Sequence, residues 1–404
     1  HPELLDSLVR ADLVRISRSR DDMARDLAAR LEAAEDFESE LDILRRFRTE
    51  EFLRIGVHDI QGQLQPPGVS EQLSSLAEVC LKQALGLAWR DVTRRLELPP
   101  EPPTEGLAVL AMGKLGGAEL NYHSDLDLIF VYDAGAAEWW RDRIAPHEFF
   151  TRVAQRAISV LQTPTREGVA YRIDTRLRPS GNQGPLVSSL ESFEAYHRTS
   201  AQLWERQALI KARPVEGPAA LRARLEKTLT RFVYGRGLDR AGVAAVRSMR
   251  ERIATERDGA DGQYVNIKTG RGGLADVEFV VQMLQLEHGY HEPRLRVRST
   301  RRALMALEAT RRLAADDARA LREGYDFLRA LEGRLRIERD QPVEAFDTEP
   351  DAMRGVARRL GYKGSDEAVV AALRADHERH RGAIRAAYDR AFAAALGSAA
   401  DERP

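Results

Sequence analysis

The densest chemical signal in the chain is the run Gly113-Lys-Leu-Gly-Gly-Ala-Glu-Leu-Asn-Tyr-His-Ser-Asp-Leu-Asp-Leu128. Asp125 and Asp127 stand two apart at the start of an apolar stretch, and on a strand such residues project from the same face. Two carboxylates this close repel unless a cation sits between them. A hard divalent ion such as magnesium, held by one or two carboxylates together with phosphate oxygens, resolves the repulsion. The glycines just upstream let a ligand come close to the backbone, and their amides can cradle phosphate. An Asp-x-Asp triplet alone is weak, since chance and helix capping also produce it. Here it occurs once, directly after a double glycine and between two apolar runs.

A third acid strengthens the pair. Asp174 lies in Tyr171-Arg-Ile-Asp-Thr-Arg-Leu-Arg-Pro-Ser-Gly181, where the alternation puts it on one strand face with Arg172 and Arg176. An acid between arginines also fits a solvated salt-bridge strand. Beside Asp125 and Asp127 it would complete a two-metal site and accept a proton from an attacking hydroxyl. The chemistry would be in-line attack on a nucleotide phosphate, with metals neutralising the entering and leaving oxygens.

The elements that must hold these acids follow from periodicity. Leu107–Met112 and Leu126–Tyr132 are short apolar runs that read as buried strands, Val169–Arg176 is a third candidate strand, and a helix is expected over Pro146–Gln162. Three strands with helices between them make a small α/β unit over about residues 99–214. Residues 1–98 read as helical, with segments Asp21–Ala34, Glu38–Ile55 and Ser70–Leu96 at helical spacing. The stretch Leu64–Val69, with its Pro66-Pro67-Gly68, breaks that pattern, and Pro99–Pro103 forms a stiff boundary. Residues 215–404 read as a C-terminal helical bundle. Its segments are Leu221–Phe232, Arg240–Glu256, Gly273–Glu287, Arg301–Ala314, Ala318–Arg339 and Asp366–Ala395, the last as one helix or a pair. The expected fold class is therefore mostly α with a central α/β unit.

Bulk properties bound the function class. At 404 residues the chain is too long for one core. Its charged fraction is 31%, yet the formal net charge is -1. That balance argues against a polycationic nucleic-acid binder and against a membrane-surface protein. No apolar run reaches the ~18 residues of a membrane span, and no signal-peptide pattern opens the chain. Cys80 is the single cysteine, which excludes an intrachain disulfide or cysteine cluster, suits a reducing cytoplasm, and reads as a buried inert thiol. Because it begins at His1 rather than Met, the chain reads as a fragment or as a processed form.

The double glycine, the Ser-Asp-x-Asp pair and the later strand aspartate resemble the nucleotidyltransferase superfamily and its polymerase-beta-like fold. The longer wording is more specific. Gly113-Lys-Leu-Gly-Gly-x-Glu-Leu120, Ser124-Asp-Leu-Asp-Leu-Ile-Phe130, Asp174-Thr-Arg-Leu-Arg-Pro-Ser-Gly181, Trp204–Arg213, and Ile267-Lys268 with Gly272–Phe279 resemble the bacterial bifunctional glutamine synthetase adenylyltransferase/adenylyl-removing enzymes, in that family's order and spacing. The resemblance covers nearly the whole chain.

Such enzymes carry two nucleotidyltransferase halves, one attaching AMP to a tyrosine of glutamine synthetase and one removing it by phosphorolysis. The single Gly-Lys-Leu-Gly-Gly motif implies one half. Ser180, and Leu274-Ala275-Asp276 before Val277, resemble the C-terminal, adenylylating half, whereas Asn121 is reminiscent of the removing half. The resemblance implies that Asp125, Asp127 and Asp174 bind two magnesium or manganese ions, and that Asp174 orients or deprotonates the tyrosine hydroxyl. That oxygen would attack the α-phosphate of ATP. Gly116 and Gly117 would hold the triphosphate, with Ser124 nearby. Lys114 would reach phosphate or turn to solvent, and Arg176, Arg178 and Lys211 would meet phosphate or form a structural ion-pair layer. Asp276 and Glu278 read first as acids of a helix's opening turn, and Trp204 as a packing anchor. Glutamine synthetase, the P-II signalling protein and glutamine as effector are the implied partners, with no nucleic acid and no membrane. Phosphorolytic deadenylylation, another nucleotidyltransferase reaction, and an inactive binding module are the competing expectations.

Overall fold

The computed structural model describes residues 15–98, 106–135, 143–257, 264–339 and 341–398. The Pro99–Pro103 boundary and His1 lie outside them. The protein is mostly α-helical with a small mixed sheet and an α/β arrangement around it. The described residues cluster into two compact units: one of those up to Leu120 with Ser124–Ala201 and Lys211–Phe232, the other of Asn121–His123, Gln202–Ile210 and those from Val233 onward.

The first unit opens with α1 (Arg20–Glu32), α2 (Phe37–Ile60) and α3 (Pro66–Arg95). Ser19 caps α1 by accepting the Asp22 amide at 3.1 Å, and Asp36 with Ser39 forms a reciprocal capping box on α2. The Pro66-Pro67-Gly68 stretch, expected to break the helical pattern, instead begins α3. Proline suits a first helical turn because its fixed φ is already helical and its missing N–H would have no partner there.

The sheet follows. β1 (Leu107–Ala111) runs antiparallel to β2 (Leu126–Tyr132), and the one-turn helix α4 (Gly113–Gly116) lies between them in sequence. α5 (Pro146–Gln162) carries the chain back to β3 (Ile173–Asp174), which pairs with β2 in parallel, as does β4 (Val187–Ser189) farther along the same edge. After α6 (Leu190–Thr199), α7 (Leu203–Ala208) and a short turn, β5 (Arg213–Glu216) closes the other side on β1, giving the order β3-β2-β1-β5. Every residue of β1 is buried, as its unbroken apolar run requires. α3 and α5 pack on one another, with Trp89 edge-on to Phe149 at 5.0 Å, and Tyr132 of β2 stacks on Phe150 of α5 at 5.1 Å.

The expected third strand over Val169–Arg176 shrinks to Ile173–Asp174. The amides of Ala170 and Tyr171 both donate to the Leu161 carbonyl at 3.1 Å, which draws the preceding backbone onto the end of α5. Just after β3 the Arg176 amide donates to Asp174 Oδ1 at 2.8 Å and turns the chain away. Sequence periodicity also passed over β4 and β5, which are too short to show alternation; β5 contains Pro214, tolerated on an edge strand.

The second unit is helical. After α8 (Ala219–Tyr234), which begins in the first unit, it contains α9 (Arg240–Arg257), α10 (Leu274–His288), α11 (Thr300–Ala309), α12 (Ala315–Arg339), α13 (Pro350–Arg359) and a single α14 (Asp366–Ser398). A two-stranded ribbon pairs β6 (Tyr264–Asn266) with β7 (Ala345–Asp347). One apolar core joins Val277, Val280, Leu304, Leu328, Ile384, Tyr388 and Phe392. Within this unit Asp276 is fully buried: it accepts the Gly272 amide at 2.7 Å and pairs with Arg250 at 2.7 Å. Asp276 thus stands in the first turn of α10 and holds the backbone just before that helix, with a buried arginine partner that the sequence did not single out. Trp204, expected as a packing anchor, is 38% exposed, and its indole N–H donates to Gln202 Oε1 at 3.1 Å.

Candidate active site

The site is built on the β3 edge of the sheet. Parallel pairing puts Leu126 opposite Ile173 and Asp127 directly opposite Asp174. Asp125 precedes β2 by one residue and is exposed, while Asp127 and Asp174 are half-buried. One link between sequence and site is Gly113. Its φ is +52°, and a Cβ there would meet Asp127 Oδ2 at 2.5 Å, so the Asp127 carboxylate occupies the space a side chain would need. The Met112 amide donates to the Asp127 carbonyl at 2.8 Å, which ties the glycine turn to β2.

Arg176 is the cation paired with Asp174. Its guanidinium holds Asp174 through Nε at 2.8 Å and 3.0 Å, and Asp125 and Asp127 also act on it. The Arg176 hydrogen bond keeps the Asp174 carboxyl below the usual carboxylate range, against the opposing effect of burial. Arg176 itself remains 73% exposed along its side chain. Arg178 is differently placed: it donates to the Thr175 carbonyl at 2.9 Å and to the Gly184 carbonyl at 3.2 Å, bracing the loop that follows β3.

The glycine turn is packed rather than open. The Gly116 amide donates to the Met112 carbonyl at 2.9 Å and the Gly117 amide to the Gly113 carbonyl at 3.2 Å, so both are committed within the turn. A side chain on Gly116 would run into the carbonyls of Lys211 and Ala111. Lys211 is 5% exposed, and its Nζ pairs with Glu119 at 2.9 Å, which places it in an ion-pair layer beneath the turn. Lys114 and Ser124 are half-buried at the two ends of the loop joining β1 to β2. Sequence reasoning missed Arg213, which donates to the carbonyls of Gly116 at 3.1 Å and Leu115 at 3.0 Å. It closes the Trp204–Arg213 motif, but its place on β5 opposite Ala111, which brings it to the turn, is invisible before β5 is known.

Asp125, Asp127 and Asp174 offer only carboxylate oxygens, a donor set that suits a hard divalent cation. Among the described residues no three acidic, histidine or cysteine side chains converge tightly enough to hold an ion. Asp174 is turned onto Arg176 instead. The donor type and the Asp127–Asp174 register fit such a cation.

A family model described as glutamate-ammonia ligase adenylyltransferase matches residues 1–228, more than half of the chain and all of the sheet that carries the acids. The chain belongs to that adenylyltransferase family. A second model, described as GlnD PII-uridylyltransferase, matches residues 245–392. Curated relatives carry the name bifunctional glutamine synthetase adenylyltransferase/adenylyl-removing enzyme. That of Burkholderia pseudomallei (strain K96243) is 37% identical over 367 residues, covering 87% of this chain and 39% of the relative. That of Nitrosococcus oceani is 38% identical over 356 residues, 87% of this chain and 36% of the relative. The Thioalkalivibrio sulfidiphilus protein is 33% identical over 403 residues, 98% of this chain and 41% of the relative. This adenylyltransferase-family chain thus spans about two-fifths of the length of those relatives and corresponds to one half of the bifunctional enzyme. No helix among its described residues is long and apolar enough to cross a membrane.

Proposed function

We propose that this chain is the adenylylating half: it transfers AMP from ATP to a tyrosine of glutamine synthetase and releases pyrophosphate. The observation that carries the reading is the pairing of Asp127 with Asp174 across β2 and β3, with Gly113 beneath the Asp127 carboxylate. Such an edge gathers acids where a polyphosphate and an attacking hydroxyl meet. In this reading the approaching triphosphate draws Arg176 away from Asp174, since a phosphate competes well for a guanidinium. The freed Asp174 carboxylate then accepts a hydrogen bond from the tyrosine hydroxyl and orients its oxygen for in-line attack on the α-phosphate. Asp125, Asp127 and Asp174 would hold magnesium or manganese, which when bound offsets the charge on the phosphate oxygens. Ser124 and Lys114 flank the triphosphate. Lys211 and Gly116 fix the turn from behind. The match of the helical segment to a PII-uridylyltransferase model supports a link to P-II signalling, and glutamine is the effector proposed with it.

A second reading, phosphorolytic removal of AMP, uses the same acids, and the relatives' shared name covers both activities. The deciding experiment incubates the chain with magnesium, α-labelled ATP and unmodified glutamine synthetase, beside an Asp125→Asn/Asp127→Asn control. Label on glutamine synthetase that disappears in the control supports the adenylylating reading. ADP released from adenylylated glutamine synthetase and phosphate, with no labelling, moves the chain to the removing half. Neither product from a folded, nucleotide-binding chain sinks both.

A further inference from the structure

At the opposite end of the sheet from the acids, the first unit contains a cavity of about 770 Å³. Its floor includes Leu107, the first residue of β1, whereas the glycine turn follows the last, Ala111; the two ends of the strand are separated by about 13 Å at ~3.3 Å per residue. None of Asp125, Asp127 or Asp174 lines it. The volume lies in the ~300–1,000 Å³ range of small-molecule sites.

The lining is divided by chemistry. Val79, Trp89, Leu107 and Val215 supply an apolar wall, and Arg20, Lys82 and Arg222 bring three cations to it. Arg20 is committed, pairing with Glu216 and with Glu78 at 3.0 Å. The side chains of Lys82 and Arg222 have no ion-pair partner among the described residues. Asp21, exposed on the first turn of α1, and Glu216 are the acids of the lining. Burial raises the Glu216 carboxyl above its usual range, and Arg20, Lys82 and Arg222 pull it back. Lys82 and Arg222 are therefore the cations of the lining left without an ion pair, beside an apolar wall.

Arg20 also begins a chain of ion pairs that ends at the glycine turn. Glu216 and Glu78 share Arg20; Glu78 pairs in turn with Arg213 at 2.5 Å; Arg213 donates to the carbonyls of Leu115 and Gly116. Glu78 is 5% exposed, so this contact is poorly screened. Arg213 and Glu216 are the two ends of β5, so the strand and the ion pairs span the same interval.

We infer that this cavity binds a small organic anion, a carboxylate or phosphate monoester on an apolar body, and that occupancy is read at the glycine turn through Arg20, Glu78 and Arg213. An anion at Lys82 and Arg222 competes with Glu216 and Glu78 for Arg20 and so changes the hold of Glu78 on Arg213. This second part rests on the nucleotide reading of the turn; the binding part does not.

Gly86 supplies a clean variant. It lines the cavity from α3, and a Cβ there meets nothing within 4 Å, so Gly86→Leu fills the space while favouring the helix. The probes are benzoate, phenyl phosphate, inorganic phosphate and neutral toluene, titrated into the full chain while the indole N–H resonances of its 4 tryptophans are followed by NMR. Trp89 is the reporter. Saturable shifts with benzoate or phenyl phosphate, weakened at least about tenfold by Gly86→Leu and by Lys82→Gln/Arg222→Gln, are expected; which of the two binds tighter distinguishes a carboxylate from a phosphate source. No saturable shift with either, equal binding of toluene, equal binding of inorganic phosphate, or indifference to Gly86→Leu overturns the site. ATP affinity is then measured with and without saturating probe in the parent chain and in Glu78→Gln. A change of at least about threefold in the parent, lost in Glu78→Gln, supports the relay; an unchanged affinity overturns it. If ATP does not bind at all, the nucleotide reading fails, and the cavity still stands or falls on Trp89.

Discussion

The Asp127 carboxylate sits where the side chain of residue 113 would be: a Cβ on Gly113 meets Asp127 Oδ2 at 2.5 Å. Gly113→Ala is therefore expected to displace the carboxylate and to add strain at φ +52°, about 1–3 kcal/mol in total. AMP transfer should fall by about 100-fold, with a smaller change in melting temperature than a core truncation gives. Paired kinetic and thermal measurements check this; full activity in the alanine variant would show that Asp127 is not held in its working position here.

Arg176 keeps the Asp174 carboxyl low through direct hydrogen bonds. Arg176→Ala should return Asp174 toward the ordinary carboxylate range of about 3.9, observable by NMR titration of the side-chain carboxyl. Because a depressed carboxyl stabilises the fold at pH above its unfolded value and loses that contribution as pH falls through its folded value, the variant should also be less sensitive to acid in the lowest pH range. If Arg176 meets phosphate as proposed, kcat/KM for ATP falls by about 100-fold, and Arg176→Lys restores little of it because the paired donor geometry is lost. An activity unaffected by Arg176→Ala would refute that role.

Asp276 and Arg250 are each 0% exposed and lie 2.7 Å apart. Arg250→Ala leaves the buried Asp276 carboxylate with only the Gly272 amide and Arg385 at 3.6 Å, and is expected to cost about 3–5 kcal/mol, a fall in melting temperature on the order of 10 °C. Burial already pushes the Asp276 carboxyl upward, against Arg250, so losing the arginine raises it further. Denaturation by urea, followed by circular dichroism, tests the size of the loss.

His377 gives the helical unit an acid sensitivity. It is 5% exposed, edge-on to Phe346 at 5.1 Å, and burial with Arg381 and His380 nearby lowers its pKa from 6.5 to about 4. The unfolded chain takes up the proton first on acidification. The stability tied to the neutral ring is thus complete above about pH 6.5 and lost progressively down to about 4, roughly 3 kcal/mol for a shift of this size. Chemical denaturation at pH 7 and pH 4.5 should show a steeper loss in the parent chain than in His377→Gln. Equal slopes would mean that the ring is hydrated in the folded state.

Much of this was readable before the fold was known. The runs Leu107–Met112 and Leu126–Tyr132 are short, apolar and bounded by breakers, as buried strands are, and they became β1 (to Ala111) and β2. The motif wording placed the chain in its family, because a long string of specific residues carries more information than any single spacing. Cys80 is buried, with its thiol pushed up to about 12, as its helical apolar setting suggested.

Partners across the sheet were a different matter. Nothing in the neighbourhood of Asp174 along the chain says that it stands opposite Asp127, because parallel register is set by how α5 returns the chain, not by local pattern. Arg213, Glu78 and Arg20 are far apart in sequence and ordinary as residues, and only packing turns them into one chain of charge. The sequence by itself determined which residues carry reactive groups, since residue type and periodicity are local properties. Tertiary structure alone decided which of those groups are shielded, paired or poised, since burial and register depend on segments that meet only when the chain is folded.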